Sequence, residues 1–157
     1  MARENTCCFT GHRFVGKDLS IDLLRRGIEY LIDNGVDVFI AGGALGFDTI
    51  CAGEVLLMKE KYPHIKLHIY APCNNQDANW SKKDCDIYKE ILKRADLVDM
   101  PDFSYYDGCM KKRNYKMVDS SAYCIAYLNN TVRSGTAQTV RYAKSKGLNV
   151  YNLAGKK

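Results

Sequence analysis

The stretch Ala41-Gly42-Gly43-Ala44-Leu45-Gly46-Phe47-Asp48 (AGGALGFD) decides the fold. Before it, 36–41 (VDVFIA) is a short apolar, β-rich run; after it, 48–62 carries a helical pattern that Pro63 closes. A strand that passes through glycines directly into a helix is the βα turn of a parallel sheet. Glycines there permit φ > 0 and close backbone approach, and the helix N-terminus offers unpaired N–H groups to a phosphate. Asp48 is expected at the N-cap of that helix. The spacing is not that of a Walker A loop, since no Lys-Ser/Thr pair follows, and it does not read G-x-G-x-x-G. Taken alone, the motif also fits a tight turn with no ligand.

The same alternation repeats outward in both directions. Strands are predicted over 5–10, 36–41, 66–71, 97–100, 122–128 and 149–153, and helices over 19–34, 48–62, 81–94, 110–120 and 137–146. In the first helix Ile21, Leu24, Ile28, Leu31 and Ile32 fall at helical spacing, with Gly35 as a stop. Every crossover is long enough for a right-handed βαβ unit. The expected architecture is therefore α/β, a doubly wound, mostly parallel sheet of about six strands with helices on both faces. Ligands of such sheets bind beyond the carboxyl ends of the strands, at the topological switch point. That rule selects the loops after Thr10, Ala41, Ala71, Met100 and Leu128. With 157 residues and no repeat, linker or low-complexity segment, the chain reads as a single domain over 1–157.

Composition narrows the class. Apolar residues at 46% and charged residues at 26% exclude disordered and fibrous chains. No run of about 18 apolar residues exists to span a membrane, and MARENT at 1–6 is not a secretory signal, so a cytoplasmic location is expected. The net charge of +5 favours an anionic partner without naming it. Seven cysteines, an odd number with no C-x-x-C, read as reduced and mostly buried thiols. Cys7 and Cys8 are adjacent on a strand and point to opposite faces, which disfavours a shared metal; no metal site is expected.

Other loops hold further candidates. Ser134-Gly135-Thr136 opens a second helix after a strand, with Thr136 able to cap it. Gly11, His12 and Arg13 follow the first strand, where the two basic residues can reach a phosphate or a base, or simply form a solvated turn. Trp80, the sole tryptophan, shares a strand-end loop with Gln76 and either stacks on a base or anchors a helix start. Lys111, Lys112, Arg113 and Lys116 form a cationic run of the kind that is usually a solvated face. His64 and His68 lie outside these loops and are read as structural or exposed.

Taken together, FTGHRF (9–14), AGGALGFD (41–48), AP-x3-Q-x3-W (71–80), RN-x2-MVD-x-S (113–121) and SGT-x3-VRYA (134–143) resemble the YpsA-like proteins. That family belongs to the Rossmann-like SLOG superfamily, with the Lonely Guy phosphoribohydrolases and the DNA-processing protein A. The resemblance implies a Rossmann-like fold in a bacterial or phage protein, with a nucleotide or nucleotide-derived ligand held by these loops. It makes Gly11, Arg13, Gly42, Gly43, Gly46, Asp48, Arg113, Asn114, Gly135 and Thr136 candidate ligand residues, beside His12, Gln76, Trp80 and Ser134 from the loops themselves. It also implies that a homodimer is possible.

Lonely Guy enzymes cleave an N-glycosidic bond with an arginine and a glutamate that follows a PGG-x-GT turn. Arg113 and Gly135-Thr136 match parts of this, but Gln138 and Thr139 stand where glutamates would, and 129–134 reads NNTVRS in place of the proline and paired glycines. A neutral amide cannot supply the carboxylate. Asp48 and Asp119 are the substitutes left. The expectation is therefore binding or sensing of a nucleotide-derived ligand (a nucleotide, NAD or an ADP-ribose-like molecule), with no required cofactor. The alternatives are a nucleotide N-glycosidase with a displaced carboxylate and single-stranded nucleic-acid binding.

Overall fold

The computed structural model describes residues 1–129 and 134–155. A 3-10 turn at Arg3–Asn5 leads into β1 (Thr6–Gly11), α1 (Ile21–Asp33), β2 (Val38–Ala41), α2 (Phe47–Lys61), β3 (Lys66–Tyr70), α3 (Lys82–Arg94), β4 (Leu97–Asp99), α4 (Cys109–Asp119), β5 (Tyr123–Tyr127), α5 (Gly135–Ser145) and β6 (Asn149–Asn152). The strands form one sheet in the order β4-β3-β2-β1-β5-β6, and each neighbouring pair is parallel. This is the doubly wound α/β sheet that the alternation of runs implies.

Topology follows from the handedness of the crossovers. From β1 the chain steps outward through β2 and β3 to β4, so right-handed units place α1, α2 and α3 on one face. It then returns to β5 on the other side of β1 and continues to β6, which places α4 and α5 on the opposite face. The core accordingly has two layers. Phe9, Phe39, Leu67 and Ile125 pack under Leu24, Ile28 and Leu31 of α1 and Cys51, Ala52 and Val55 of α2. On the other side Cys8, Ile40, Cys124 and Ala126 pack under Met117 and Val118 of α4 and Val140 and Ala143 of α5. Cys7 and Cys8 do fall in opposite layers, and all seven cysteines are free thiols, buried except for the partly exposed Cys85.

Element ends depart from the sequence expectation for local reasons. α1 starts at Ile21 rather than 19 because Ser20 is extended and its side chain accepts the Leu23 N–H at 3.2 Å. β2 starts at Val38 rather than 36 because the Val36 N–H is drawn back to the Leu31 carbonyl of α1, at 2.9 Å. α5 starts at Gly135 rather than 137. Its cap is Ser134, not Thr136: the serine accepts from the Ala137 N–H at 3.0 Å, and Thr136 is buried in the first turn.

Asp48 is likewise not the N-cap of α2. That position is Gly46, at φ +85° and ψ −124°, and Asp48 lies two residues further on, buried within the first turn. Gly46 is required there twice over: the left-handed φ strains any other residue, and an added Cβ would lie 2.0 Å from the Arg13 carbonyl oxygen.

Candidate functional site

β1 and β5 are neighbours whose chains leave for opposite faces, so the space beyond their carboxyl ends is the switch point of the sheet. A cavity of about 420 Å³ opens there. Gly11, His12 and Arg13 enter it from the end of β1, Asp48 from α2, Gln76 and Trp80 from the loop after β3, Arg113 and Asn114 from α4, and Ser134, Gly135 and Thr136 from the start of α5. Eleven candidates from five separate segments of sequence thus converge on one space.

The glycines of AGGALGFD do not line it. Gly42 instead lets two charged groups approach the backbone behind the wall: a Cβ at this position would meet Arg113 Nη1 at 2.5 Å and Asp48 Oδ2 at 2.7 Å. The Gly42 carbonyl accepts from Arg113 Nη1 at 2.6 Å and from Gln76 Nε2 at 3.3 Å. Arg113 Nη1 also reaches the Tyr70 carbonyl at 3.2 Å, and Nε donates to Asn114 Oδ1 at 2.9 Å. Arg113 is only 6% exposed, so its guanidinium is a buried strut between β2, β3 and α4 as well as part of the wall. This is what the cationic run on α4 conceals: its neighbours Lys111, Lys112 and Lys116 are exposed, as such runs usually are.

Asp48 is the group whose chemistry the site changes most. Burial raises its pKa from 3.8 to about 6, against the opposing pull of the Arg113 charge and of backbone N–H groups at Ala44 and Gly42. Burial in turn lowers the pKa of Arg113, with Asp48 as the main restoring charge. A carboxyl titrating near pH 6 at the edge of a cavity can hold or release a proton near neutrality. Asp119, the other acidic candidate, is not in this cavity. It accepts the Tyr142 hydroxyl at 2.7 Å on the surface between α4 and α5.

Several side chains are already committed to holding the walls. His12 Nε2 accepts the Asn129 N–H at 3.2 Å, and its ring meets the edge of Tyr127 at 5.8 Å. Tyr127 donates to the Asp18 carboxylate and accepts from the Gly16 N–H at 3.0 Å and Asn129 Nδ2 at 3.2 Å, tying the loop after β1 to the end of β5. Gln76 Nε2 also donates to the Tyr88 hydroxyl at 2.9 Å, leaving Gln76 Oε1 buried with no hydrogen-bond partner. Trp80 packs against the Tyr88 ring at 5.2 Å, so its role as an anchor and its place in the cavity wall coexist.

Thr10, Ala44, Leu45, Tyr105 and Met110 also line the cavity and were not singled out in the sequence. Tyr105 arrives because its N–H donates to Asn75 Oδ1 at 2.8 Å and the Asn74 N–H donates to the Phe103 carbonyl at 2.8 Å, zipping two loops together. Of the positions where Lonely Guy glutamates would stand, Thr139 is turned into the core and bonds the Gly135 carbonyl at 2.8 Å, and Gln138 lies beside Arg141 outside this cavity. The departures at 130–133 lie outside the described residues. His68 is buried in β3 and His64 is exposed; neither lines the cavity. Among the described residues no cluster of three or more His, Cys, Asp or Glu is placed to hold a metal, and no helix is long and apolar enough to cross a membrane.

Comparison with known proteins agrees with this architecture. A model of the YspA SLOG family matches residues 17–154. The SPbeta prophage-derived protein YoqJ of Bacillus subtilis is 35% identical over 118 residues, 68% of each chain. A UPF0398 protein of Bacillus cereus is 28% identical over 126 residues, covering 79% of this chain and 68% of its own. Among solved structures, DNA processing protein A from Helicobacter pylori, described with a single-stranded DNA binding mode, superposes with a TM-score of 0.68 at 21% identity over 95% of this chain. The Streptococcus pneumoniae protein of the same name gives 0.64 at 18% identity over 94%. This chain spans 64% and 49% of those two chains.

Proposed function

The chain belongs to the YspA SLOG family, and from that premise we propose that the cavity at the ends of β1 and β5 binds the phosphate-bearing part of a nucleotide-derived ligand. The observation that carries this reading is the convergence, at the switch point, of Arg13, Asn114 and the first turn of α5. Ser134 caps that turn through Ala137, and Gly135 and Thr136, whose first-turn N–H groups have no partner within the helix, line the cavity, where these donors and the helix dipole favour an anion. Trp80 and Tyr105 supply flat rings at the same mouth for a base. Gly42, Gly43 and Gly46 serve by shaping the wall rather than by touching ligand.

The test is a thermal-shift and calorimetric screen with AMP, NAD and ADP-ribose. A ligand at about 100 times its Kd contributes roughly 2.7 kcal/mol, enough to move Tm by several degrees. Arg13 is exposed, so Arg13→Ala is expected to lower affinity at least tenfold with an unchanged melting curve in the absence of ligand. Equal affinity in this variant overturns the assignment. Ligand recovered intact fits a binding protein; free base released by the wild type and not by Asp48→Asn would replace the reading with N-glycosidic cleavage.

Single-stranded nucleic-acid binding is the second reading. It is supported by the exposed cations Lys111, Lys112 and Lys116 on α4, Arg141 and Lys144 on α5 and Lys146 at its C-cap, and by the fold shared with the Helicobacter pylori protein. It requires a log–log salt dependence of about −0.7 per neutralised phosphate.

A further inference from the structure

On the far flank of α4, beyond the ends of β3 and β4, lies a second groove of about 590 Å³. Its walls are aromatic, with Tyr70, Phe103, Tyr106 and Tyr115, and Lys112 stands on its rim. The two cavities share a single ridge. Arg113 lines both; of the consecutive tyrosines, Tyr105 faces the first and Tyr106 the second. The first turns of α4 divide the same way, Met110 and Asn114 to one side and Cys109 and Lys112 to the other.

Both sides also leave large rings in solvent. Phe103 and Tyr106 pack against each other at 5.3 Å yet stay 44% and 42% exposed, and Tyr105 is 58% exposed across the ridge. Exposed aromatic rings gathered at a concave site, with cations at its edges, are the pattern of a surface that flat ligands cover. Lys116 is already taken up by Asp99 and by the face of Tyr70, which leaves Lys112 as the cation of the second groove that faces an incoming anion. Each volume lies within the roughly 300 to 1,000 Å³ of small-molecule sites.

We propose that the two cavities are subsites for one ligand made of two nucleoside units joined through phosphate. One base lies against Trp80 and Tyr105, the other against Phe103 and Tyr106, and the linkage crosses the Tyr105–Tyr106 ridge between Arg13 and Lys112. The inference rests on the reading of the first cavity given above and names the class of its ligand. A free dinucleotide and a dinucleotide step within a single strand share this chemistry.

The experiment compares AMP, NAD, 5′-phosphorylated dithymidylate and a 12-nucleotide oligothymidylate by calorimetry on the wild type, on Lys112→Glu and on the double variant Phe103→Ala with Tyr106→Ala. Wild type is expected to bind at least one two-unit ligand ten times or more tighter than AMP. Both variants are expected to erase that gain and leave AMP affinity unchanged. Affinity that stops rising at two units identifies a free dinucleotide; affinity that rises again with the 12-mer identifies a strand, and either result supports the two-subsite ligand. Equal affinity for AMP and every longer ligand, or a two-unit gain that survives both variants, overturns this inference while the first cavity's assignment stands. Failure of all four ligands to bind removes both readings.

Discussion

Replacing Asp48 with asparagine should make the protein more stable at neutral pH, and the size of the gain can be worked from the structure. The carboxyl titrates at about 6 in the fold against 3.8 when free, a displacement of about two units in which burial outweighs the attraction of Arg113. At about 1.4 kcal/mol per unit, the ionised form resists unfolding by about 3 kcal/mol less than the protonated form. The sign follows from which state binds the proton. Between pH 3.8 and about 6 the folded chain holds a proton that the unfolded chain has lost, so this contribution is full below the window, declines as pH rises through it and is gone above. Asparagine resembles the protonated acid at every pH.

Urea unfolding at pH 4.5 and pH 7.5 measures the effect as a difference of differences. Because the unfolded carboxyl is already mostly ionised at pH 4.5, the variant is expected to gain about 2 kcal/mol of that total on the wild type between the two conditions, with m unchanged. Carboxylates whose pKa values are lowered, such as Glu29 beside Lys61 and Asp86 beside Lys82, weaken both proteins equally in acid and cancel. The loss of a counter-charge for Arg113 is already contained in the pKa of Asp48. A wild-type minus variant difference that is the same at both pH values, or that favours the wild type as pH rises, would refute the argument, because it would mean that attraction to Arg113 exceeds the burial penalty.

Other variants probe the struts around the cavity. Arg113→Ala takes the short guanidinium hydrogen bonds from the Gly42 and Tyr70 carbonyls and the Arg113 charge from beside Asp48, so it should lose about 3 to 5 kcal/mol by urea unfolding and move the pH window upward. Gly46→Ala forces a side chain into a left-handed position against the Arg13 carbonyl, which should lower stability by about 1 to 3 kcal/mol in a thermal melt and displace the loop that carries Arg13. Ser134→Ala removes the cap of α5 and should lower stability by about 1 kcal/mol; because it frees the Ala137 N–H rather than removing a donor, affinity for a phosphate ligand should change little by calorimetry.

The strands and helices were legible because the strands are short, mostly apolar runs set between helical patterns, as in VFIA and in the stripe of Leu24, Ile28 and Leu31. The crossover rule then placed the cavity. What the residues could not disclose depends on partners distant in sequence. Gly42 reads as a phosphate contact until Arg113, 71 residues away, is seen to need its carbonyl. Tyr105 carries no mark in the sequence of its place beside the cavity, because that place depends on Asn75, 30 residues away, which accepts its backbone N–H. Arg113 itself was separable from the lysines around it only through the resemblance to a family, since nothing in its helical spacing distinguishes a buried guanidinium from a solvated one. The cap was misplaced by two residues because an acidic residue after glycines suits a cap, and only the backbone angles of Gly46 show that the glycine already occupies it.

The distribution of thiols turns the fold into its own chemical timer. Cys85 is partly open to solvent at the start of α3, whereas Cys7, Cys8, Cys51 and Cys124 are sealed in the two core layers. For Cys7 and Cys51 burial, and for Cys124 a hydrogen bond with Cys8 together with burial, also hold the reactive thiolate out of reach at neutral pH. An alkylating reagent therefore meets one quickly modified group and then a set that reacts only when the sheet opens. In the mass ladder that results the four core adducts arrive together, and their rate of appearance records global opening without any probe having to be introduced.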